Sequence, residues 1–135
     1  MKIYRWLNDK GNGLYQDKFA ERVGLVFAGG DLPYYQPPVY EDVRGIPFED
    51  LKYHSCAFRS YKQMMAWFRD IDPLDIFIEG GSLVELDVDR EFVYDGACQC
   101  TYVKTEVRGS RGVSLDEFIV NADEEEKRMR EFWWN

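Results

Sequence analysis

The sequence has no long run of apolar residues, and it contains few cysteines. No stretch approaches the roughly 20 apolar residues that a membrane-spanning helix needs, so we expect no segment that crosses a membrane. The first residues, Met1 to Trp6, lack the apolar run of a signal peptide and are typical of a strand. Three cysteines form an odd number, which does not indicate a disulfide framework. These absences together favour the cytoplasm.

The sequence has fewer basic residues than acidic residues. Seventeen Lys and Arg stand against twenty-five Asp and Glu, for a formal net charge of −8. A negative surface repels phosphate groups, so general binding to nucleic acids or to anionic membranes is disfavoured. Solubility alone accounts for this acidity, and a basic protein partner or mimicry of a nucleic acid would also fit it. A protein is therefore the partner that we expect.

The common catalytic and nucleotide-binding motifs are missing as well. The sequence has no Gly-x-x-x-x-Gly-Lys loop, no Gly-x-Gly-x-x-Gly and no His-Glu-x-x-His. The acidic run 123–126 falls in the first turn of an expected helix, where it suits the helix dipole and needs no metal.

The residues that are present predict one α+β domain over 1–135, with a small mixed or antiparallel sheet and a few short helices. Hydrophobic residues make up 45% of the 135 residues and aromatic residues 16%, which is enough for a conventional core. Strands are predicted at 2–7, 83–88 and 97–105, helices at 16–23 and 60–70, a turn at 109–112, and two closing helices after Ser114 and Asn121. Ser60 and Gln63 form a capping box at the start of the helix over 60–70.

Glycine and proline interrupt the stretch from Gly29 to Pro47, which predicts a long ordered loop. The loop carries Tyr34, Tyr35 and Tyr40. These aromatic side chains would either anchor the loop or line a site.

A zinc site is one hypothesis for the cysteines. His54 lies two residues before Cys56, and Cys98 lies two before Cys100, so on extended backbone each pair would project from one face. A Cys3His set of this kind is a tetrahedral zinc ligand set. The alternative is that the cysteines pack in the core as small hydrophobic side chains.

The order of several short elements resembles the small ADP-ribosyltransferase-like proteins. Tyr4-Arg5 ends a strand, the Gly11–Tyr15 turn follows, Phe58-Arg-Ser60 opens a helix, and Gln99 lies in a late strand. The resemblance implies an ADP-ribosyltransferase-like fold that holds NAD or a related nucleotide.

In that resemblance Arg5, Ser60 and Gln99 occupy the catalytic positions. Arg5, Tyr15 and Phe58 occupy the cofactor-binding positions, with Arg5 positioning NAD and Tyr15 stacking on nicotinamide. Gln99 departs from the pattern, which has a glutamate there, and an amide cannot stabilise a developing positive charge as a carboxylate does. Either catalysis is absent, or another acid such as Glu85 or Glu106 supports it.

The sequence is also similar to a group of short bacteriophage and prophage proteins. The shared elements are the Tyr-Arg start, the Gly-x-Gly-h-Tyr turn, Trp67-Phe68 at a helix end, and the Gly-x-x-Gln segment from Gly96 to Gln99, over roughly residues 3–105. This resemblance implies a phage-type accessory protein that acts on a host protein. Three functions follow as alternatives: an ADP-ribosyltransferase-like NAD-binding domain, a non-enzymatic acidic inhibitor or interaction protein, and a small zinc-supported interaction domain.

Overall fold

Two antiparallel three-stranded sheets and five helices form the protein in a computed structural model that describes residues 1–25 and 34–134. The strands are β1 (Lys2–Leu7), β2 (His54–Ala57), β3 (Ser82–Val88), β4 (Val93–Asp95), β5 (Cys100–Val103) and β6 (Val107–Val113). The helices are α1 (Phe19–Arg22), α2 (Val39–Asp42), α3 (Tyr61–Trp67), α4 (Pro73–Ile78) and α5 (Leu115–Trp134), with 3-10 turns at Phe48–Tyr53, Arg90–Phe92 and Lys104–Glu106. The predicted α+β class is confirmed.

The strand order is β1-β3-β6 in the first sheet and β2-β5-β4 in the second. A backbone bridge connects the sheets: Tyr4 of β1 and Phe58, just after β2, exchange two backbone hydrogen bonds of 2.8 Å each. This bridge brings the middle of β1 beside the end of β2, and the residues of the candidate site lie next to it.

Two hydrophobic clusters form the core. One draws on both sheets and contains Ile3, Leu86 and Val88 from the first, with Ala57, Val93, Cys100 and Tyr102 from the second. The other lies between the first sheet and the helices and includes Trp6, Phe19, Met64, Ile76 and Phe118. The site borders the helical cluster, because its wall residues Trp6, Leu14 and Phe58 belong to that cluster.

Capping residues determine where the central helices begin. The Ser60 hydroxyl accepts the N–H of Gln63 at 3.0 Å, as predicted, and α3 extends from there to Trp67. Asp72 caps a further helix, α4, by accepting the N–H of Leu74, with Pro73 in the first turn. Proline is favourable at the first helical position, because its missing N–H would have no partner there.

Three predicted elements differ in the structure. The predicted strand over 97–105 contains only β5, Cys100–Val103, because the preceding backbone N–H groups bind the Asp42 carboxylate instead of a neighbouring strand. The predicted turn at Gly109–Gly112 is part of β6, which pairs with β3. The two closing helices are one, α5, and Asn121 uses its side chain to donate to the Tyr61 hydroxyl.

The predicted loop over 29–47 falls partly outside the described residues. Its part from Tyr34 onward contains α2. Two of its three tyrosines, Tyr34 and Tyr40, are exposed. No helix within residues 1–25 and 34–134 is both long and apolar enough to cross a membrane.

Candidate functional site

A cleft of about 350 Å³ lies at the junction of the two sheets. Its walls come from the end of β1, the turn over residues 13–16, strand β2 and the end of α3. Of the predicted site residues, the cleft brings together Arg5, Tyr15, Phe58 and Gln99, along with His54 and Cys56. Sites for small ligands usually measure about 300 to 1,000 Å³, so a ligand the size of a mononucleotide would fill this cleft.

Arg5 is held in the cleft by its neighbours on both sides. It lies on β1, opposite Val84 of β3, and its guanidinium donates to the hydroxyl of Tyr102 at 3.0 Å. The turn approaches Arg5 closely at Gly13, where a Cβ atom would come within 3.2 Å of the Arg5 Nη2 atom. Glycine at position 13 therefore leaves room for the guanidinium.

Lys104 supplies a second positive charge at the cleft. Its ammonium group donates to the backbone carbonyl of Lys52 at 3.0 Å. Neither Lys104 nor Arg5 forms an ion pair with a carboxylate in the described part of the chain. Among the residues that the structure describes, no Asp or Glu lines the cleft. The cleft is thus positive in a protein whose net charge is −8.

Tyr15 contributes an aromatic surface. Its side chain is 51% exposed, while its hydroxyl accepts a hydrogen bond from the indole N–H of Trp67 at 3.1 Å. Burial around the hydroxyl raises the pKa of Tyr15 above its ordinary value, and the Trp67 hydrogen bond opposes that rise. The ring is thereby fixed at one end and open on the other to a stacking partner.

Phe58 forms part of the apolar wall. It is 7% exposed and packs edge-on against Trp67 and Phe68, with ring centroids 5.7 and 5.6 Å apart. Such edge-to-face arrangements add to the stability of an aromatic cluster. Phe58 therefore shapes the cleft and offers no polar group to a ligand.

Gln99 reaches the cleft but is already engaged. It is 2% exposed, its backbone N–H donates to the Asp42 carboxylate at 3.0 Å, and its side-chain amide donates to the carbonyl of Pro37 at 2.9 Å. These bonds tie the segment before β5 to the end of α2 and to the loop before α2. Gln99 is accordingly placed to hold the wall of the cleft in position.

Ser60 lies outside the cleft lining, in a smaller neighbouring hollow of about 290 Å³ that Tyr35 and Arg69 also line. Its hydroxyl is used in capping α3. The two acids considered as substitutes are also elsewhere: Glu85 forms ion pairs with Lys2 and Arg111, and Glu106 is not among the lining residues. The predicted catalytic set of Arg5, Ser60 and Gln99 is therefore not assembled in one place.

The four residues of the zinc hypothesis are not brought together either. In the β2–β5 ladder Cys56 lies opposite Thr101 and Cys100 lies opposite Ala57. Because directly opposed residues share a face and neighbours alternate, Cys56 and Cys100 point to opposite faces. Among the described residues, no group of three or more His, Cys, Asp or Glu side chains is placed to hold a metal ion.

Each of these four residues has another environment. His54 contacts the Thr101 hydroxyl at 3.1 Å, and burial lowers its pKa below the ordinary value, with an opposing effect of Asp50. Cys100 is fully buried, and that burial raises the pKa of its thiol to about 12. Burial also raises the pKa of Cys56, which Arg5 partly opposes, and that of Cys98. None of these shifts favours a thiolate, which is the form that binds zinc.

Lys104 and Trp67 are among the lining residues of the cleft that sequence reasoning missed. Lys104 follows β5 in a 3-10 turn and has no motif around it. In the sequence, Trp67 lies off the apolar stripe that Tyr61, Met64 and Phe68 form along the helix. It is nevertheless only 8% exposed, and its indole N–H donates to the Tyr15 hydroxyl. An aromatic residue out of phase with its helix is a usable signal of a contact with a second element.

One comparison with known proteins identifies relatives. Residues 1–116 match the family model described as Bacteriophage T4 Y00F protein. The chain belongs to this bacteriophage family. No curated protein and no solved structure matches the chain. The matched range contains every lining residue of the cleft and only the first two residues of α5.

Proposed function

We propose that this member of the T4 Y00F family is a phage accessory protein that binds a nucleotide, NAD or a close relative, in the cleft at the junction of the two sheets. The observation that carries the proposal is the cleft's charge: Arg5 and Lys104 have no carboxylate partner in the described chain, and no described carboxylate lines the cleft. Cations left without a carboxylate are suited to a phosphate group.

The aromatic side of the cleft supports a nucleotide over a plain anion. Tyr15 presents a half-exposed ring whose hydroxyl is fixed by Trp67. Stacking of a base on such a ring contributes about 1–3 kcal/mol. Phosphate on the Arg5 and Lys104 side and a base or nicotinamide on Tyr15 would use both halves of the cleft. A dinucleotide would extend beyond a cleft of about 350 Å³.

The proposal is for binding without ADP-ribosyl transfer. Transfer passes through a positive ribosyl centre, which a nearby carboxylate stabilises. Gln99 stands where the ADP-ribosyltransferase-like pattern has that carboxylate, and its side-chain amide donates a hydrogen bond to the carbonyl of Pro37. Glu85 and Glu106 lie outside the cleft lining. The bound nucleotide then acts as a ligand, and the phage protein acts on its host target by contact.

Calorimetric titration with NAD, ADP-ribose, AMP and nicotinamide tests the binding. We expect the phosphate-bearing ligands to bind and nicotinamide alone to bind far more weakly. Lys104→Ala should weaken NAD binding by about tenfold or more, because a hydrogen bond to a charged group contributes about 1.5–3 kcal/mol. Arg5→Ala should have a similar effect, checked for folding because Arg5 also bonds to Tyr102.

Arg44→Ala is the matched control, since Arg44 is an exposed cation outside the cleft lining. It should leave the affinity unchanged. Absence of NAD binding at millimolar concentration, or an equal loss in the Arg44 variant, would rule the proposal out. With labelled NAD and host lysate we expect retention of the label by this protein without covalent transfer. Transfer of label to any protein would contradict the binding-only function.

A further inference from the structure

Strand β6 is the outer strand of the first sheet, with β3 on one side and no described strand on the other. The five residues 108–112 of this strand are all exposed. In the described part of the chain, their backbone hydrogen bonds go to β3 alone. Every second residue of an edge strand directs its N–H and C=O groups away from the sheet. The outer edge of β6 therefore presents a row of unpaired backbone donors and acceptors to the solvent.

The charges on this edge are compensated within the chain. Arginine on an edge strand usually keeps other strands away, but both arginines of β6 are held by acids of their own chain. Arg108 donates to Asp89 at 2.9 Å, and Arg111 forms two hydrogen bonds with Glu117, at 2.7 and 2.9 Å. Arg111 also lies 3.3 Å from Glu85. The strand has no acidic residue of its own, although the whole chain has a net charge of −8.

The sequence of β6, Val-Arg-Gly-Ser-Arg-Gly-Val, complements itself when it is read in the opposite direction. In an antiparallel pair of two copies centred on Ser110, all seven residues find a partner and each arginine lies opposite a glycine. The opposed residues are Val107 with Val113, Arg108 with Gly112, Gly109 with Arg111, and Ser110 with Ser110. Like charges directly opposite each other would be destabilising, and this register avoids them. A register centred on Arg111 would instead set that arginine opposite itself.

The two glycines leave the space that the opposed arginines need. A Cβ atom at Gly109 or Gly112 would meet nothing within 4 Å in its own chain. The two copies of Arg111 would be diagonal neighbours, about 7–8 Å apart, and each keeps its bonds to Glu117. A strand of another protein would gain similar backbone hydrogen bonds, but a copy of β6 brings a glycine to each arginine. Self-pairing about a two-fold axis is also the commonest form of assembly among soluble oligomers.

We propose that β6 pairs with β6 of a second copy of this chain, in the antiparallel register centred on Ser110. The two three-stranded sheets then form one sheet of six strands. None of the residues that line the nucleotide cleft lies on β6. The pairing is therefore independent of the proposed nucleotide binding and can be tested without a ligand.

Cysteine at the centre of the pair tests the register. Ser110→Cys places two thiols opposite each other, with Cα atoms about 4.5–5.5 Å apart, which is within the span of a disulfide. Gly112→Cys is the matched control on the same strand, because its two copies would lie about 14 Å apart along the strands. After mild oxidation we expect a reducible dimer from Ser110→Cys on a nonreducing gel and mostly monomer from Gly112→Cys. The wild type controls for Cys56, which is exposed.

Sedimentation measures the reversible association. An interface built mainly from one strand pair belongs to the small and weak class, so the range is about 5 to 500 µM protein. Gly112→Arg should weaken the wild-type dimer about tenfold, because it sets two arginines opposite each other at both ends of the pair. Gly112→Glu is the matched control, since it puts a carboxylate opposite Arg108 and should retain the dimer.

Three outcomes would overturn the proposal. These are a wild type that sediments as a monomer over the whole range, equal crosslinking of Ser110→Cys and Gly112→Cys, and equal association of Gly112→Arg and Gly112→Glu. The last two would place any contact between copies elsewhere on the surface. Thermal denaturation followed by circular dichroism checks that each variant keeps the wild-type fold, because β6 also pairs with β3.

Discussion

Asp42 organises the segment that leads into β5. Its carboxylate accepts the backbone N–H groups of Ala97, Cys98 and Gln99, with distances from 2.8 to 3.3 Å. Carboxylates bound to several backbone donors form some of the stronger hydrogen bonds in proteins. The position of Gln99 in the wall of the cleft therefore depends on a residue more than fifty positions earlier in the chain.

Gly96 is required by this arrangement, and its substitution makes a testable change. A Cβ atom at position 96 would lie 2.9 Å from the Asp42 carbonyl oxygen, closer than real Cβ contacts come. Gly96→Ala should reduce the free energy of unfolding by about 1–3 kcal/mol, the usual cost of overpacking. Urea denaturation measures this change in the free energy of unfolding.

Gly109→Ala is the control for that change, because a Cβ atom at position 109 meets nothing within 4 Å. It should change the free energy of unfolding by at most about 0.5 kcal/mol. Equal effects of the two alanine variants would show that the Asp42 contact with the segment is unimportant.

Gly13 bears on the cleft more than on stability. A Cβ atom added at position 13 would lie 3.2 Å from Arg5 Nη2, and the end of the flexible arginine side chain can move away. Gly13→Ala should therefore displace the Arg5 guanidinium and weaken NAD binding several-fold, with little change in the melting temperature. Calorimetry and thermal denaturation on the same samples separate the two effects. Unchanged affinity in a folded Gly13→Ala variant would show that the guanidinium position does not matter for the ligand.

At the scale of elements, local sequence signals predicted the structure where a residue acts on its own helix or strand. The strand over 2–7 and the Ser60 cap of α3 are confirmed. The shortened β5 and the strand at Gly109–Gly112 could not be predicted in this way, because both depend on distant partners, Asp42 and β3. Asn121 looked like a helix cap, yet its partner is the hydroxyl of Tyr61.

Glu125 is the clearest case of one element completing another. It supplies the acceptor for the first N–H groups of α3, which have no partner within their own helix. Glu125→Ala should lower the free energy of unfolding by about 1–2 kcal/mol, as loss of a helix cap does. The measurement is urea denaturation, with Glu124→Ala as a neighbouring acid without this contact. An equal and small effect of both variants would contradict the capping role.

At the scale of the whole molecule, the cleft exists because two small sheets meet at the backbone bridge from Tyr4 to Phe58. The resemblance to ADP-ribosyltransferase-like proteins placed Arg5, Tyr15, Phe58 and Gln99 in one site, and the structure brings these four together. The resemblance also placed Ser60 in this site, but the structure leaves Ser60 outside the cleft lining, where its hydroxyl caps α3. Lys104 and the lack of a lining carboxylate could not be predicted, because each depends on the packing of segments far apart in the chain. The ADP-ribosyltransferase-like fold itself remains a prediction.

Net charge predicts less about the site than about the surface. A chain of −8 would not be expected to hold a positive cleft, yet Arg5 and Lys104 are separated from the acidic surface by their positions at the junction of the sheets. Helix α5 carries seven acidic residues, and none of them lines the cleft.

Nitrogen-15 amide spectra of the full chain during titration with NAD test the central claim most directly. The proposed function predicts that shifts cluster on the end of β1, on residues 13–16 and 54–56, and at Gln99 and Lys104, and that Lys104→Ala raises the NAD concentration needed to produce them. No shifts at millimolar NAD, or shifts centred away from this cleft, would contradict it.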